Sequence, residues 1–283
     1  MADTHVTART QHVEANGIRF AYRRLGPETG TPLVLMQHFR GGMDHWDPAV
    51  IDGLAADRPV ILFDNAGVAG STGKTPDTID AMAGHAAEFI GALGLDEVDL
   101  LGFSMGGYIA QSFVLQNPNL VGRLLLLGTG PRAGEPPQDA SVAQHAASTD
   151  PRTGDSPLEA FLYLFFSPSE RSQAAGRAFW ERRHRRKDDV DPPSPVETIM
   201  AQNAAVKKWR EVNGERYAEL KRITQPTLVV NGSNDIMIPT INAFTLSQRI
   251  PNAQLILYPD SGHGSQFQYP ELFVSHARTF LDA

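Results

Sequence analysis

Short apolar runs recur along the chain at intervals: LVLMQ at 33–37, VILFD at 60–64, VDLLG at 98–102, RLLLLG at 123–128, TLVVNG at 227–232 and QLILY at 254–258. They are near-continuous rather than alternating. That is the pattern of strands buried on both faces, as in a parallel sheet. Ahead of them, HVEANGIRFAYRRLG at 12–26 alternates about Asn16-Gly17, a two-residue turn signal, and predicts a β-hairpin. Helical spacing fills the intervals at 78–93, 105–116, 239–250 and 270–282. Strand and helix alternate. The prediction is an α/β fold: a mostly parallel eight-stranded sheet with right-handed crossovers and helices on both faces.

The alternation breaks once. After RLLLLG, roughly 95 residues pass before the next strand-like run, far longer than an ordinary loop. The gap opens with the punctuation GTGPRAGEPPQDA. It then carries the helix-like segments LEAFLYLFFS, RSQAAGRAFWERRHRRKDD and VETIMAQNAAVKKWREVNGERYAEL, divided by DPPSP at 191–195. This predicts a helical cap, residues 131–224, inserted between the sixth and seventh strands of a core made of 1–130 and 225–283. FLYLFF at 161–166 is apolar all round and should pack on the core or line a pocket. ERRHRRKDD reads as a solvated helix end.

Charge marks the same segment. Residues 131–224 carry 15 Lys+Arg against 14 Asp+Glu, whereas the remainder carries 10 against 18. The net charge of −7 argues against a nucleic-acid binder. No apolar run approaches the about 18 residues of a membrane span. The N-terminal stretch lacks the apolar region of a secretory signal. There is no cysteine, hence no disulfide framework, thiolate nucleophile or thiolate metal site. The expectation is a cytoplasmic protein acting on a small molecule, away from membranes. Its oligomeric state is open, and a homodimer is compatible with the sequence.

LLGFSMGGY, 100–108, places one serine between glycines where a strand-like run meets a helical one. A tight strand-to-helix turn leaves little room for Cβ atoms at Gly102 and Gly106. It sets the Ser104 hydroxyl at the edge of the sheet, beside the first helical N–H groups. In these residues the sequence resembles the α/β-hydrolase superfamily: Gly102-Phe103-Ser104-Met105-Gly106-Gly107 looks like the nucleophile elbow of its serine-dependent members.

The resemblance implies a triad in the order serine, acid, histidine. His263, in the glycine loop SGHGS after the last apolar run, takes the histidine position. His276 falls in the final helical stretch and reads as surface or packing. Asp235, in the pattern Gly-x-x-Asp-x-x-x-Pro after the seventh strand, takes the acid position. Its rivals are Asp64 and Asp260. Gly128-Thr129-Gly130 offers no acid after the sixth strand. The oxyanion donors would be the backbone N–H groups of Met105 and Phe39. The loop QHFRGGMDHW departs from the family's His-Gly-aromatic pattern, with Gln37 and His38 in place of His and Gly. His38 is either a packed loop residue or, with Phe103, a contact to substrate. Asn65-Ala66 in FDNAGVAGST replaces a stretch where the family often has Arg. That loop lacks the spacing of a phosphate cradle. His38, Asp44, His45 and Asp47 show no metal-site spacing, and a hydrolytic triad needs neither metal nor cofactor.

The implied activity is a serine hydrolase that cleaves a small or medium, largely apolar carboxylic ester or lactone through an acyl-enzyme. The elbow is similar to those of enol-lactonases, small esterases and cofactor-free haloperoxidase-like enzymes. The same triad serves C–C bond hydrolysis and perhydrolysis. A haloalkane dehalogenase would need a carboxylate at Ser104. A non-catalytic binding member of the fold is the remaining alternative.

Overall fold

The computed structural model describes residues 3–147 and 157–283. Stretch 148–156, within the segment expected to form the cap, lies outside the described residues. Eight strands form one sheet: β1 (Gln11–Ala15), β2 (Ile18–Leu25), β3 (Leu33–Met36), β4 (Val60–Phe63), β5 (Val98–Phe103), β6 (Val121–Leu127), β7 (Thr227–Gly232) and β8 (Ala253–Tyr258). Their order is β1-β2-β4-β3-β5-β6-β7-β8. β2 pairs antiparallel with both β1 and β4, and every pairing from β4 to β8 is parallel. The mostly parallel eight-stranded sheet expected from the apolar runs is therefore present. Asn16 and Gly17 both take positive φ, 47° and 78°, as the hairpin's two-residue turn requires.

β3, β4, β5 and β7 are buried along their whole length, which explains why their sequences do not alternate. Successive residues of one strand feed opposite layers. Leu33 and Leu35 join one hydrophobic cluster, Val34 and Met36 the other. The first layer includes α1 (Pro48–Leu54) and, from the C-terminus, α10 (Pro270–Leu281), which pack on each other. The second holds α2 (Ile79–Ala92), α3 (Met105–Gln116) and α8 (Ile241–Arg249). Thr78 caps α2 by accepting the Ala81 N–H, so the helix starts where the sequence changes period. α1 and the short α9 (Ser265–Gln268) were not anticipated: each is too short to show a helical period.

Among the described residues, four α-helices lie between β6 and β7: α4 (Ala140–Ala147), α5 (Leu158–Phe165), α6 (Glu170–Arg183) and α7 (Val196–Arg210). The run FLYLFF buries Phe161, Leu162, Leu164 and Phe165 against the core rather than opening a pocket. ERRHRRKDD is a solvated helix end only in part: Glu181, His184, Arg185, Lys187, Asp188 and Asp189 are exposed, whereas Arg182, Arg183 and Arg186 reach inward around the end of α6 at Arg183. Arg182 makes a two-pronged pair with the fully buried Asp47 at 2.9 and 2.6 Å. Arg183 stacks on Phe161 and Trp180. Arg186 donates to the carbonyls of His5 and Ala8, both at 2.7 Å. Beyond them Arg23, itself fully buried, pairs with Asp44 and Asp191. The three arginines that turn inward find partners across the fold, which offsets their desolvation.

Candidate active site

β5 ends at Phe103 and α3 begins at Met105, leaving Ser104 alone on the turn. Its φ of 57° is rare for a residue with a Cβ and costs on the order of 1–3 kcal/mol. Three hydrogen bonds hold it there. Ser104 N–H donates to the Leu127 carbonyl at 2.8 Å, and the Ser104 carbonyl accepts from Gly107 N–H at 2.9 Å and from Thr129 Oγ1 at 2.8 Å. The flanking glycines are required by space. A Cβ on Gly106 would lie 2.0 Å from the Met36 carbonyl oxygen, and one on Gly102 would lie 2.4 Å from the Gly106 carbonyl oxygen.

The structure brings Ser104, His263 and Asp235 together. His263 Nε2 lies 2.9 Å from Ser104 Oγ, and its Nδ1 lies 2.8 Å from Asp235 Oδ2. A carboxylate only accepts, so Nδ1 carries the proton and Nε2 turns its lone pair to the hydroxyl. Asp235 follows β7, where its Oδ1 accepts the N–H groups of Met237 and Ile238, both at 2.9 Å. That turn fixes which oxygen faces the imidazole. His263 is fully buried, packed between the rings of Phe103 at 5.1 Å and Phe165 at 5.2 Å. Its loop is tied down by Gly264 N–H donating to the Phe165 carbonyl at 2.7 Å.

The rival acids are engaged elsewhere. Asp64 is buried and accepts from Met43 N–H and Gly70 N–H, both at 3.0 Å, which joins the loops after β3 and β4. Burial, with Asp191 nearby, pushes its pKa well above the usual carboxylate range. Asp260 accepts from Ser169 Oγ at 2.6 Å. His276 Nδ1 lies 2.9 Å from the Tyr258 hydroxyl.

Ser104, Met105 and Phe39 share the wall of a cavity of about 530 Å³. Its other walls are mostly apolar. Tyr108, Met237 and Ile238 come from the core side, and Ile199 and Val206 from α7. Arg40, Arg210, Asn203 and Asp139 add polar edges. Neither His38 nor Phe103, the candidate substrate contacts, lies on this wall, and of the two readings of His38 the geometry fits the packed one. Phe103 is fully buried among Trp46, Phe165, Phe267 and His263. The His38 ring stands edge-on to Phe103, Phe165 and His45. Burial, with His45 beside it, holds the His38 pKa well below the usual imidazole value, so the ring is neutral. Thr129 and the α7 residues were missed in the sequence. Thr129 had a signal in its place directly after the sixth strand, level with the elbow; α7's approach to the cavity had none.

A sheet of this order, with a serine on a strained turn at the end of its fifth strand, defines an α/β hydrolase. The family model for the alpha/beta hydrolase fold matches residues 31–270. The chain belongs to that family and is a hydrolase of the fold. An alpha/beta hydrolase fold protein from Chitinophaga pinensis superposes with a TM-score of 0.92 at 40% identity, covering 99% of this chain and 100% of that one. A pimeloyl-(acyl-carrier protein) methyl ester esterase of Nitrosomonas europaea is 29% identical over 87% of this chain and 94% of its own. A poly(3-hydroxyalkanoate) depolymerase of Ectopseudomonas oleovorans is 30% identical over 90% and 85%. Among the described residues, no helix is long and apolar enough to cross a membrane.

Proposed function

We propose that the chain is a serine hydrolase that cleaves a small or medium, largely apolar carboxylic ester or lactone through an acyl-enzyme. The observation that carries this is the unbroken chain from Ser104 Oγ through His263 to Asp235, opening on the apolar cavity. In this reading Ser104 Oγ attacks the carbonyl carbon and His263 Nε2 takes its proton. Asp235 holds the ring in the required tautomer and stabilises the imidazolium. The N–H groups of Phe39 and Met105 receive the oxyanion. His263 then returns the proton to the leaving oxygen. Water, deprotonated by the same ring, releases the acid.

The helices between β6 and β7 act as a cap over the site, and a volume of about 530 Å³ suits a ligand of modest size. The esterase named among the relatives supports ester chemistry. We place the enzyme in the cytoplasm, acting on a soluble small molecule.

A panel of p-nitrophenyl esters of increasing acyl length and of simple lactones, read with the parent and Ser104→Ala, tests the proposal. Turnover and labelling by a fluorophosphonate probe are both expected from the parent, and neither from Ser104→Ala. Turnover of a β-diketone with none of esters or lactones would move the reading to C–C bond hydrolysis. No labelling of the native parent would favour a binding role.

A further inference from the structure

The loop after β3 departs from the pattern the sequence resembles at Gln37 and His38, and it carries one backbone oddity, Arg40 at φ 66°. His38 and Arg40 meet at the peptide unit that joins Phe39 to Arg40. The carbonyl of that unit, Phe39 O, accepts from His38 Nδ1–H at 2.7 Å. Its N–H, on Arg40, donates to Gln202 Oε1 at 2.7 Å. Both edges of a single peptide plane are therefore held by buried side chains. One belongs to the loop itself and one to α7, 162 residues away.

Gln202 is only 2% exposed, and its helix is firmly seated. One turn earlier, Thr198 Oγ1 donates to the Gly67 carbonyl at 2.5 Å and lies 2.9 Å from Thr75 Oγ1. Gln202 also borders a small pocket of about 20 Å³ together with His38 and Met105. It thus stands behind both loops that would supply oxyanion donors. A fixed 39–40 plane fixes the place of the Phe39 Cα and its carbonyl carbon, and so narrows the directions the Phe39 N–H can take. A donor of this kind works only while aimed at the place where charge develops. An unrestrained loop at φ 66° would relax.

We infer that Gln202 and His38 clamp the Phe39–Arg40 peptide, making Gln202 a positioning residue for the oxyanion donor and α7 a part of the catalytic apparatus. This rests on the serine-hydrolase reading above. The clamp also accounts for histidine at position 38: a glycine there would leave the Phe39 carbonyl without its donor.

Three variants test it. Gln202→Met keeps the shape and removes the acceptor. Gln202→Glu keeps an acceptor at the same reach. His38→Phe keeps a ring and removes the donor. Gln202→Met and His38→Phe should lower kcat on p-nitrophenyl esters by about 10- to 100-fold, the range expected when an oxyanion donor is misaimed. KM should stay within about twofold, and affinity for phenylboronic acid, which forms a tetrahedral adduct on the serine, should fall with kcat. Gln202→Glu should retain more kcat than Gln202→Met. Hydrogen exchange at the Arg40 amide reads the clamp without turnover: it should be slow in the parent and fast in Gln202→Met. Equal Arg40 protection in the two proteins refutes the clamp whatever the activity. A folded Gln202→Met with kcat within twofold of the parent refutes the positioning role. Parent-level turnover by Ser104→Ala overturns the serine reading and the role that depends on it.

Discussion

Replacing Asp235 by Asn should be far more damaging than the loss of one charge suggests, because the local geometry dictates how the amide must sit. Asp235 Oδ1 already accepts two backbone N–H groups, from Met237 and Ile238, each at 2.9 Å. An asparagine has one acceptor atom and one donor group. With its NH₂ turned to the backbone, two donors would face it at hydrogen-bonding distance, so the carbonyl oxygen must take the Oδ1 place. The NH₂ group then points at His263 Nδ1, 2.8 Å from the present Oδ2. Nδ1 must accept, and the ring proton moves to Nε2. The atom facing Ser104 Oγ at 2.9 Å then carries hydrogen instead of a lone pair, and His263 cannot take the serine proton. A wrong-tautomer histidine costs about 10⁴ in kcat. At 1.36 kcal/mol per decade this is about 5.5 kcal/mol of barrier. The assay is p-nitrophenyl ester turnover at neutral pH, with thermal melting to show that Asp235→Asn is folded. KM should change little, since Asp235 does not line the cavity. A folded Asp235→Asn with kcat within tenfold of the parent would refute the tautomer argument and the assignment of Asp235 as the acid.

Gly106→Ala should lose both stability and activity, because its Cβ would lie 2.0 Å from the Met36 carbonyl oxygen and 2.8 Å from that of Gln37. Neither backbone atom can swing away, so we expect about 1–3 kcal/mol of destabilisation, visible as a lower Tm, with Ser104 displaced and fluorophosphonate labelling slowed. Asp99 offers a pH test. Burial raises its pKa from 3.8 to about 6. On unfolding the carboxyl returns to 3.8, so the unfolded chain ionises first as pH rises. Its effect on stability is therefore absent below about pH 4 and grows as a destabilisation up to about pH 6, to at most about 3 kcal/mol at 1.36 kcal/mol per unit. Asp99→Asn, which can still accept the Arg123 N–H that Asp99 receives at 2.7 Å, should raise the Tm at pH 8 and leave it unchanged at pH 4. A Tm gain equal at both values would contradict the burial argument.

The parts of the molecule legible in the sequence are those whose cause is local. A strand buried on both faces, such as LVLM of β3, must be apolar at every position, so the run announces itself. The elbow is legible because close approach to Met36 and Gln37 excludes any side chain at Gly106. Asp235 and His263 are found by where they fall relative to strands, and the structure places both within reach of Ser104. What the sequence hid was decided by partners far along the chain. ERRHRRKDD has the composition of a solvated surface and six of its residues are exposed, but Asp47, Asp44 and the carbonyls of His5 and Ala8 draw Arg182 and Arg186 inward. His38 looked open to two roles until the rings around it and the Phe39 carbonyl showed what it holds. Gln202 carried no signal: a lone glutamine in a helix acquires meaning only from the loop it faces.

On the proposed reading, α7 serves chemistry and selectivity at once. Its buried stripe runs through Thr198, Gln202, Ala205 and Trp209, with spacings of three and four. The stripe beside it, Ile199, Asn203, Val206 and Arg210, lines the cavity with the same spacings. The two stripes are one residue apart, about 100° around the helix, so they face different surroundings while moving as a rigid unit. The first seats the helix on the core, through Thr198 on Gly67 and the Trp209 ring stacked on Tyr108 at 5.3 Å. The second meets whatever enters. Of the cavity stripe, Val206 also packs on the core and Arg210 hydrogen-bonds Tyr108, so Ile199 and Asn203 are the positions where substitution reshapes the pocket with least effect on the seating of the helix. The core supplies the floor of the site, Ser104 and Met105, whose geometry is fixed by backbone packing and tolerates little change. On the proposed reading, much of the diversity of substrate within this architecture belongs to the wall that α7 presents, and the helix cannot move away from Ser104 without releasing the Arg40 N–H from Gln202.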